Sequence, residues 1–264
     1  MIDRYSRQSF LGHHAVEVFR ECTVAIVGLG GGGSHIGQQL AHLGFESFQL
    51  YDPDKVEWSN LNRLVGASFQ DAQKGMLKVE VAARAMLALN PEIEVRKFSC
   101  SWQEVAEDIR DADVIFGCLD SYGARQDLET TARRHLIPLI DIGMDIALFG
   151  DKPNIFGQVI LSLPSAPCMR CLGFLNDENL RREADQYGAA GGRPQVVWAN
   201  GVLASLAVGV AVDLLTGWNG VPAQGVYLHF DGNTNEVRTS PRLEFAPKGC
   251  PHFPPDAVGE PNFS

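Results

Sequence analysis

Apolar residues recur at two spacings along the first 144 residues and divide them into alternating strands and helices. Short apolar, β-branched runs predict buried strands, and apolar residues three and four positions apart predict amphipathic helices. The strands are predicted at 23–30, 48–52, 93–98, 114–119 and 138–144, and the helices at 13–20, 32–44, 78–89 and 124–135. This alternation is typical of a doubly wound, mostly parallel sheet.

The rest of the chain follows a different pattern. A strand is predicted at 157–163, and two more, at 225–230 and 235–240, form a hairpin around Asp231-Gly232. Neighbouring strands joined by a tight turn are antiparallel. The predicted fold class is therefore α/β, with a doubly wound, Rossmann-like, mostly parallel sheet extended by an antiparallel C-terminal part. We interpret residues 1–264 as a single domain.

Three segments depart from the simple alternation. Residues 196–215 are apolar nearly all round, and Asn200 and Asp213 interrupt them, which favours a buried central helix over a membrane span. Residues 53–73 and 164–196 are polar and carry little periodicity, so we predict irregular structure for both.

Composition and charge narrow the function classes. The chain has 264 residues, and 22 Lys and Arg stand against 32 Asp and Glu, for a net charge of -10. A protein with this charge repels polyanions, which excludes a general nucleic-acid binder. The polar N-terminus has no apolar stretch of the kind found in signal peptides, so we expect a cytoplasmic protein that does not bind membranes.

A glycine-rich loop gives the first chemical signal. Gly28, Gly30 and Gly33 form a G-x-G-x-x-G pattern between a predicted strand and a predicted helix, and Asp52 ends the next strand. Glycines let the backbone approach phosphates, the helix N-terminus offers free N–H groups, and the acid binds ribose hydroxyls. The loop alone is compatible with NAD, which would indicate an oxidoreductase, and with ATP, which would indicate a transferase.

Polar residues near the loop favour the transferase. Asn60 and Arg63 lie in the segment DPDKVEWSNLNRL, Lys78 opens a helix, and Asp120 ends a strand. Transfer of a phosphoryl or nucleotidyl group needs cations because negative charge builds up on phosphate oxygens, and a carboxylate at a strand end can hold Mg²⁺. Taken singly, each residue is better explained by an ordinary role: Arg63 in a surface ion pair, Lys78 as a solvated cation and Asp120 as a helix N-cap. Together they favour nucleotidyl transfer.

With these segments, the chain resembles the MoeB/ThiF family, the adenylating fold shared with ubiquitin-activating enzymes. The resemblance covers most of the chain. It lies in RYSRQ (4–8), VAIVGLGGGGS (24–34), LYDPDKVEWSNLNR (50–63), KGMLKVEVA (74–82), CLD (118–120) and CMRC (168–171).

The resemblance implies a reaction and assigns residues to it. The terminal glycine carboxylate of a small ubiquitin-like or sulfur-carrier protein would attack the α-phosphate of ATP and release pyrophosphate. Asp52 would bind the ribose, Asn60, Arg63 and Lys78 the phosphates, and Asp120 Mg²⁺. These assignments agree with the residues themselves, because such an attack needs cations and alignment but no strong base.

The resemblance also implies a homodimer and a crossover loop. Arg7 of one subunit would reach into the active site of the other. The tail of the substrate would thread under the crossover loop, for which residues 172–196 are the candidate, with Gly191-Gly192 as a hinge.

Two departures from the family pattern concern cysteines. Relatives that form a thioester or persulfide carry a cysteine near the crossover loop, but this chain has none between Cys171 and Cys250, and Cys118 lies in a predicted buried strand. The reaction is therefore expected to stop at the acyl-adenylate, with a conjugating or sulfur-transfer protein supplying the next nucleophile.

The second departure concerns zinc. The family pairs two Cys-x-x-Cys knuckles, but here the second reads Cys250-Pro251-His252-Phe253. Zinc would be held by Cys168, Cys171, Cys250 and His252, a set that Zn²⁺ accepts. A zinc-free, packed arrangement stays open.

Other functions stay open at this stage. The acceptor could be a different carboxylate, on a peptide or on a modified tRNA base. An NAD-dependent oxidoreductase and a pseudoenzyme that only binds a ubiquitin-like partner are further alternatives. Molybdopterin synthesis, thiamine synthesis and protein conjugation all use the adenylation chemistry, and the sequence does not distinguish them.

Overall fold

The computed structural model describes residues 4–164, 166–185, 194–221 and 225–253, which form one eight-stranded sheet with helices on its faces. The strands are β1 (Thr23–Val27), β2 (Ser47–Tyr51), β3 (Glu94–Phe98), β4 (Val114–Gly117), β5 (Leu139–Phe149), β6 (Lys152–Ser162), β7 (Val226–Asp231) and β8 (Glu236–Thr239). The α-helices are α1 (Ala15–Glu21), α2 (Gly31–Leu43), α3 (Phe69–Lys74), α4 (Lys78–Leu89), α5 (Tyr122–Arg134), α6 (Asp177–Asp185) and α7 (Val197–Thr216). Short 3₁₀ segments lie at Ser6–Leu11, Trp58–Asn60, Trp102–Asp111 and Pro241–Leu243.

The strand order is β3-β2-β1-β4-β5-β6-β7-β8. The first five strands of this order are parallel, and β6, β7 and β8 continue the sheet in antiparallel fashion. The order reverses between β1 and β4, so a crevice opens there at the carboxyl ends of the strands. The predicted fold class, a doubly wound parallel sheet with an antiparallel extension, is confirmed.

Helix α7 packs against α2, β5 and β6. By length and composition alone it could cross a membrane. Several of its buried positions are small, including Ala204, Ala207 and Ala211, which lets the helix approach the sheet closely. The predicted central core helix is therefore confirmed. Asn200 is also buried, and its side-chain amide donates to the carbonyl of Val196 at 3.0 Å.

Both segments predicted to be irregular contain helices. In 53–73, α3 begins after Ser68, whose hydroxyl accepts from the backbone N–H of Asp71 while the Asp71 carboxylate accepts from the N–H of Ser68. This reciprocal capping stabilises a helix too short to show periodicity. In 164–196, α6 follows Asn176, whose side-chain oxygen accepts from the N–H of Asn179 at 2.8 Å. The predicted hinge, Gly191-Gly192, lies outside the described residues.

Charged side chains mark the two outer strands of the sheet. Arg96 and Lys97 lie on β3, and Glu236 and Arg238 on β8. Arg96 forms ion pairs with acidic residues of the following 3₁₀ segment, and Lys97 pairs with Glu80 at 2.9 Å. All four positions of β8 are exposed.

Candidate active site

The glycine loop is packed between β1, β4 and α2. Gly28 has φ +91°, and a methyl group there would lie 2.5 Å from the carbonyl oxygen of Cys118. A methyl group at Gly33 would lie 1.9 Å from the carbonyl oxygen of Gly28. Gly30 faces open space and is the N-cap of α2, without a side-chain cap. The N–H groups of the first turn of α2 are thus left for an anion.

Asp52 holds this loop from the end of β2. One carboxylate oxygen accepts from the N–H of Leu29 at 2.7 Å, and the other accepts from the N–H of Asp54 at 2.9 Å. Burial raises the pKa of Asp52 above its usual range, and the ammonium of Lys78, 3.6 Å away, opposes that shift. Lys78 also contacts the Asp54 carboxylate at 2.6 Å. A cation at the start of α4 is therefore balanced by two carboxylates.

Asn60 and Arg63 lie in the turn that follows. Asn60 is buried, and its side-chain oxygen accepts from the N–H of Glu57 at 3.1 Å. Arg63 is half-buried and donates to the carbonyl of Ser59 at 2.7 Å and to the side-chain oxygen of Asn62 at 3.0 Å. No carboxylate pairs with Arg63 in the part of the chain that the structure describes. Its positive charge is available to a ligand.

These residues surround one cavity of about 490 Å³, here called the nucleotide pocket, at the carboxyl ends of β1, β2 and β4. Of the residues predicted for the site, its lining contains Gly28, Gly30, Asp52, Asn60, Arg63, Lys78 and Asp120.

Gly33 and Arg7 lie outside this lining. Gly33 supports the loop from behind through its contact with Gly28. Arg7 lies exposed on the 3₁₀ segment Ser6–Leu11.

Asp120 is exposed at the rim of the pocket. The hydroxyl of Ser121, rather than the carboxylate of Asp120, caps α5 by accepting from the N–H of Ala124 at 3.2 Å. Asp120 is therefore not the N-cap of α5, and its carboxylate remains available to a metal ion.

One wall of the pocket was not anticipated from the sequence. It consists of four residues in the segment that follows β3: Cys100, Ser101, Trp102 and Gln103. The available signal was their position at the carboxyl end of a parallel strand, the edge at which α/β sheets hold ligands. Gln195, just before α7, also lines the pocket.

A buried ion pair lies beside Asp120. Arg125 donates to the carboxylate of Asp141 and to the carbonyl oxygen of Leu119. Burial raises the pKa of Asp141 to about 6, and the Arg125 guanidinium opposes the shift. The pair therefore fixes the backbone next to Asp120 when Asp141 is ionised.

Cys118 also lines the nucleotide pocket. Burial, with a smaller contribution from the Asp141 charge, raises the pKa of its thiol far above the usual range. A thiol that stays protonated at neutral pH is a poor nucleophile, which supports the interpretation of Cys118 as a packing residue.

The four predicted zinc ligands form one cluster, and their ligand atoms all lie within 4.8 Å of one another: Cys168, Cys171, Cys250 and His252. The Sγ atoms of Cys168 and Cys171 are 3.6 Å apart, as are those of Cys171 and Cys250. His252 Nδ1 lies 3.4 Å from both Cys168 Sγ and Cys171 Sγ. A tetrahedral zinc site with Zn–S bonds of about 2.3 Å has ligand separations of about 3.8 Å, so the cluster fits Zn²⁺.

The first half of this cluster is anchored to α5. The N–H of Met169 donates to the carboxylate of Glu129 at 2.9 Å, and Ser162 donates to the same oxygen at 2.5 Å. The buried guanidinium of Arg133 donates to the Ser162 hydroxyl at 2.9 Å and to the carbonyl of Ala166 at 3.0 Å. Buried charges paired in this way fix the knuckle relative to α5.

Comparison with known proteins now identifies the family. The model of the ThiF family matches residues 4–252. This chain belongs to the ThiF family. The predicted resemblance to the MoeB/ThiF family is confirmed.

Curated relatives carry adenylyltransferase and activating-enzyme names. The chain is 32% identical over 242 residues to the molybdopterin-synthase adenylyltransferase of Escherichia coli, covering 89% of this chain and 90% of that one. It is 29% identical over 178 residues to the sulfur carrier protein ThiS adenylyltransferase of Bacillus subtilis, covering 65% of this chain and 51% of the relative. It is 32% identical over 182 residues to ubiquitin-like modifier-activating enzyme 5 of Drosophila willistoni, covering 63% and 44%.

Solved structures share the fold. A crystal structure of E. coli MccB with ATP superimposes with a TM-score of 0.72 at 20% identity, covering 91% of this chain and 71% of that one. PaaA superimposes with a TM-score of 0.70 at 23% identity, covering 90% of this chain and 81% of that one. At these identities the likeness establishes the fold alone.

Proposed function

We propose that this protein adenylates the C-terminal glycine carboxylate of a small ubiquitin-like or sulfur-carrier protein, using ATP and releasing pyrophosphate. The observation that carries the proposal is the nucleotide pocket. It joins an uncapped helix N-terminus to Asp52, Arg63, Lys78 and Asp120. Membership of a family whose curated relatives are adenylyltransferases supports ATP rather than NAD as the nucleotide.

The pocket suits the parts of a nucleoside triphosphate. Each carboxylate oxygen of Asp52 accepts one backbone N–H and keeps lone pairs for ribose hydroxyls. Asn60, Arg63 and Lys78 lie on the side of the pocket formed by the segment after β2 and the start of α4, where they would contact phosphate oxygens. The N–H groups at the start of α2 complete the phosphate site.

The chemical step follows from this charge arrangement. An oxygen of the substrate carboxylate forms a bond to the α-phosphorus, the bond from that phosphorus to the bridging oxygen breaks, and pyrophosphate leaves with the electron pair. Both reactants are anions, so Arg63 and Lys78 lower the barrier by offsetting their repulsion and the charge of the leaving group. No proton is removed from a carboxylate, so no general base is needed.

A magnesium ion fits beside these residues. Mg²⁺ is usually held by one or two carboxylates together with substrate phosphates and water, and Asp120 offers an exposed carboxylate at the pocket rim. The ion would neutralise phosphate charge there.

The cluster of three cysteines and one histidine would hold a zinc ion with a structural role. Four protein ligands close the coordination sphere, whereas catalytic zinc sites keep a position open.

The product is expected to be the acyl-adenylate. No cysteine occurs between Cys171 and Cys250, and the Cys118 thiol stays protonated. A second protein, either a conjugating or a sulfur-transfer protein, would therefore supply the nucleophile that consumes the adenylate.

A homodimer would bring Arg7 to the site. Within its own chain Arg7 is exposed and does not line the nucleotide pocket. Close to it in sequence, Phe10 is 67% exposed and contacts the ring of Trp218 at 5.6 Å. An exposed aromatic pair of this kind suits burial against a second copy.

ATP–pyrophosphate exchange tests the proposal. Exchange should require a small protein ending in Gly-Gly with a free carboxylate. Arg63→Ala and Asp120→Ala should abolish it without changing the melting temperature. Arg110→Ala and Asp127→Ala are matched controls, because both residues are exposed and neither lines the pocket. Unchanged exchange in either pocket variant would contradict the site assignment.

A further inference from the structure

A narrow cavity, here called the passage, adjoins the nucleotide pocket. The passage has a volume of about 60 Å³, roughly that of two water molecules, and shares Gly30, Cys118, Leu119, Asp120 and Gln195 with the nucleotide pocket. Its other walls include Gly31, Gly32 and Gly143. A passage of this size leaves no room for a large side chain.

A wider cavity of about 400 Å³, here called the chamber, adjoins the passage. The two share Arg125, Gly143 and Met144. The floor of the chamber is the face of β5, β6 and β7 that lies opposite α7. Cross-strand pairing aligns the side chains of this floor in rows, Gly143 with Gln158 and His229, and Asp145 with Phe156.

Aromatic rings give the chamber its chemical character. The ring centroid of Phe174 lies 5.6 Å from that of Tyr122 and 6.5 Å from that of Tyr227. The Arg125 guanidinium lies 5.7 Å from the same Phe174 centroid. Phe156 is 41% exposed although β6 is an interior strand of the sheet. An apolar ring left uncovered on the floor of a cavity favours an apolar ligand.

Charge does not select the occupant, because opposite charges balance around the chamber. Arg242 and Asp145 both line it, and the charge of Arg125 is neutralised by Asp141. Burial, with a smaller effect of the Arg242 charge, lowers the pKa of His229, so this imidazole is neutral at pH 7.

Amide side chains supply polar partners for a peptide main chain. Gln158 lies on the floor, and Asn176 and Asn179 also line the chamber, where the Asn176 oxygen is already used to cap α6. Amides offer both donors and acceptors, which an extended backbone requires on its two edges. The chamber therefore combines an apolar recess with main-chain recognition.

We propose that the chamber binds an aromatic side chain three or four residues before the C-terminal carboxylate of the substrate. The inference rests on the proposed function, because it takes the substrate tail to reach the nucleotide pocket through the passage. The passage accommodates the last two residues, which must be glycine. Phe156 pairs across the sheet with Asp145, which lies two residues along β5 from Gly143. This separation is about 7 Å, the length of two residues of extended peptide.

Fluorescein-labelled octapeptides ending in Gly-Gly test the proposal with the full-length protein in the presence of a non-hydrolysable ATP analogue. Position three or four from the end carries Phe, Ala, Glu or Lys, and fluorescence polarisation gives the Kd. Phe at one of the two positions should bind about 10- to 100-fold more tightly than Ala, which is the gain expected from burying an aromatic side chain. Equal Kd values, absence of measurable binding, or a preference for Glu or Lys would each overturn the proposal.

Two variants assign the preference to the chamber. The preference for Phe is measured as the Kd of the Ala peptide divided by the Kd of the Phe peptide. In the Phe156→Ala variant this ratio should fall to about one third of its wild-type value or less. Phe245→Ala is the matched control, since Phe245 is 84% exposed and does not line the chamber. A ratio that Phe156→Ala leaves unchanged would overturn the assignment.

ATP–pyrophosphate exchange, run in parallel, distinguishes the two proposals. If exchange occurs without a preference for Phe, the chamber inference fails alone. If the Phe preference is found but no carrier protein or peptide supports exchange, the proposed function fails alone.

Discussion

Gly33→Ala is the sharpest perturbation of the nucleotide loop. The new methyl group would lie 1.9 Å from the carbonyl oxygen of Gly28, whereas ordinary contacts begin at 3.4 Å, so the two must separate by 1.5 Å. The methyl carbon is fixed to the backbone of α2, and the oxygen belongs to the backbone of the loop. Rotation of a side chain therefore cannot relieve this clash. The substitution should therefore displace the turn that Asp52 holds through Leu29.

Two opposing effects set the change in the free energy of unfolding caused by Gly33→Ala. Overpacking costs about 1–3 kcal/mol, and a backbone contact belongs at the upper end of that range. Alanine in a helix returns about 1 kcal/mol relative to glycine. A net loss of about 2 kcal/mol corresponds to a fall in Tm of roughly 4–8 °C for a chain of this size.

Gly209→Ala is the matched control, because Gly209 lies within α7 and a methyl group there meets no heavy atom within 4 Å. It should raise the Tm by about 2–4 °C. Differential scanning fluorimetry gives both Tm values, and isothermal titration with ATP and Mg²⁺ shows whether Gly33→Ala also weakens nucleotide binding. A Gly33→Ala protein as stable as the wild type, with unchanged ATP affinity, would refute the close packing of the loop.

Three further predictions concern pH, metal and assembly. The folded-state pKa of Asp141, about 6, exceeds the usual value of about 3.9, so its stabilising effect is full below pH 4 and is lost as the pH rises through 6. The free energy of unfolding of the wild type should therefore fall by up to about 3 kcal/mol relative to Asp141→Asn over this range; a difference independent of pH would contradict the shift. Purified protein should contain one zinc per chain by elemental analysis, and a chelator should remove it and lower the Tm; a His252→Ala protein with full zinc content would exclude this ligand. Arg7→Ala and Arg63→Ala should each be inactive, yet an equimolar mixture should recover about a quarter of wild-type exchange, because half of the dimers are mixed and each has one intact site. No recovery after subunit exchange would show that Arg7 does not act across the interface.

The parallel half of the fold was predictable because its signals are local. Buried parallel strands show as continuous apolar runs, and α4 occupies the predicted residues 78–89 because apolar spacing and Asn90-Pro91 fix its ends. The lengths of β5 and β6 were not predictable. Beyond Met144 the two strands pair with each other, and polar residues such as Asp145 and Asn154 interrupt their apolar runs, so the runs alone do not show how far each strand extends.

The positions of the pocket residues followed from topology, whereas the chamber did not. Asp52 and Asp120 follow parallel strands, and such strands deliver their ends to one edge of the sheet. The chamber gathers Tyr122, Phe156 and Phe174 from three segments that are far apart in the sequence. No short stretch of sequence contains it.

The charges on the outer strands bear on how this protein behaves in concentrated solution. An edge strand exposes unpaired backbone groups that can recruit another chain, and charged side chains oppose that pairing. Arg96 and Lys97 place such charges on β3, and Glu236 and Arg238 place them on β8. Removing these four charges would leave the pocket and chamber intact but should promote aggregation through the two outer strands of the sheet.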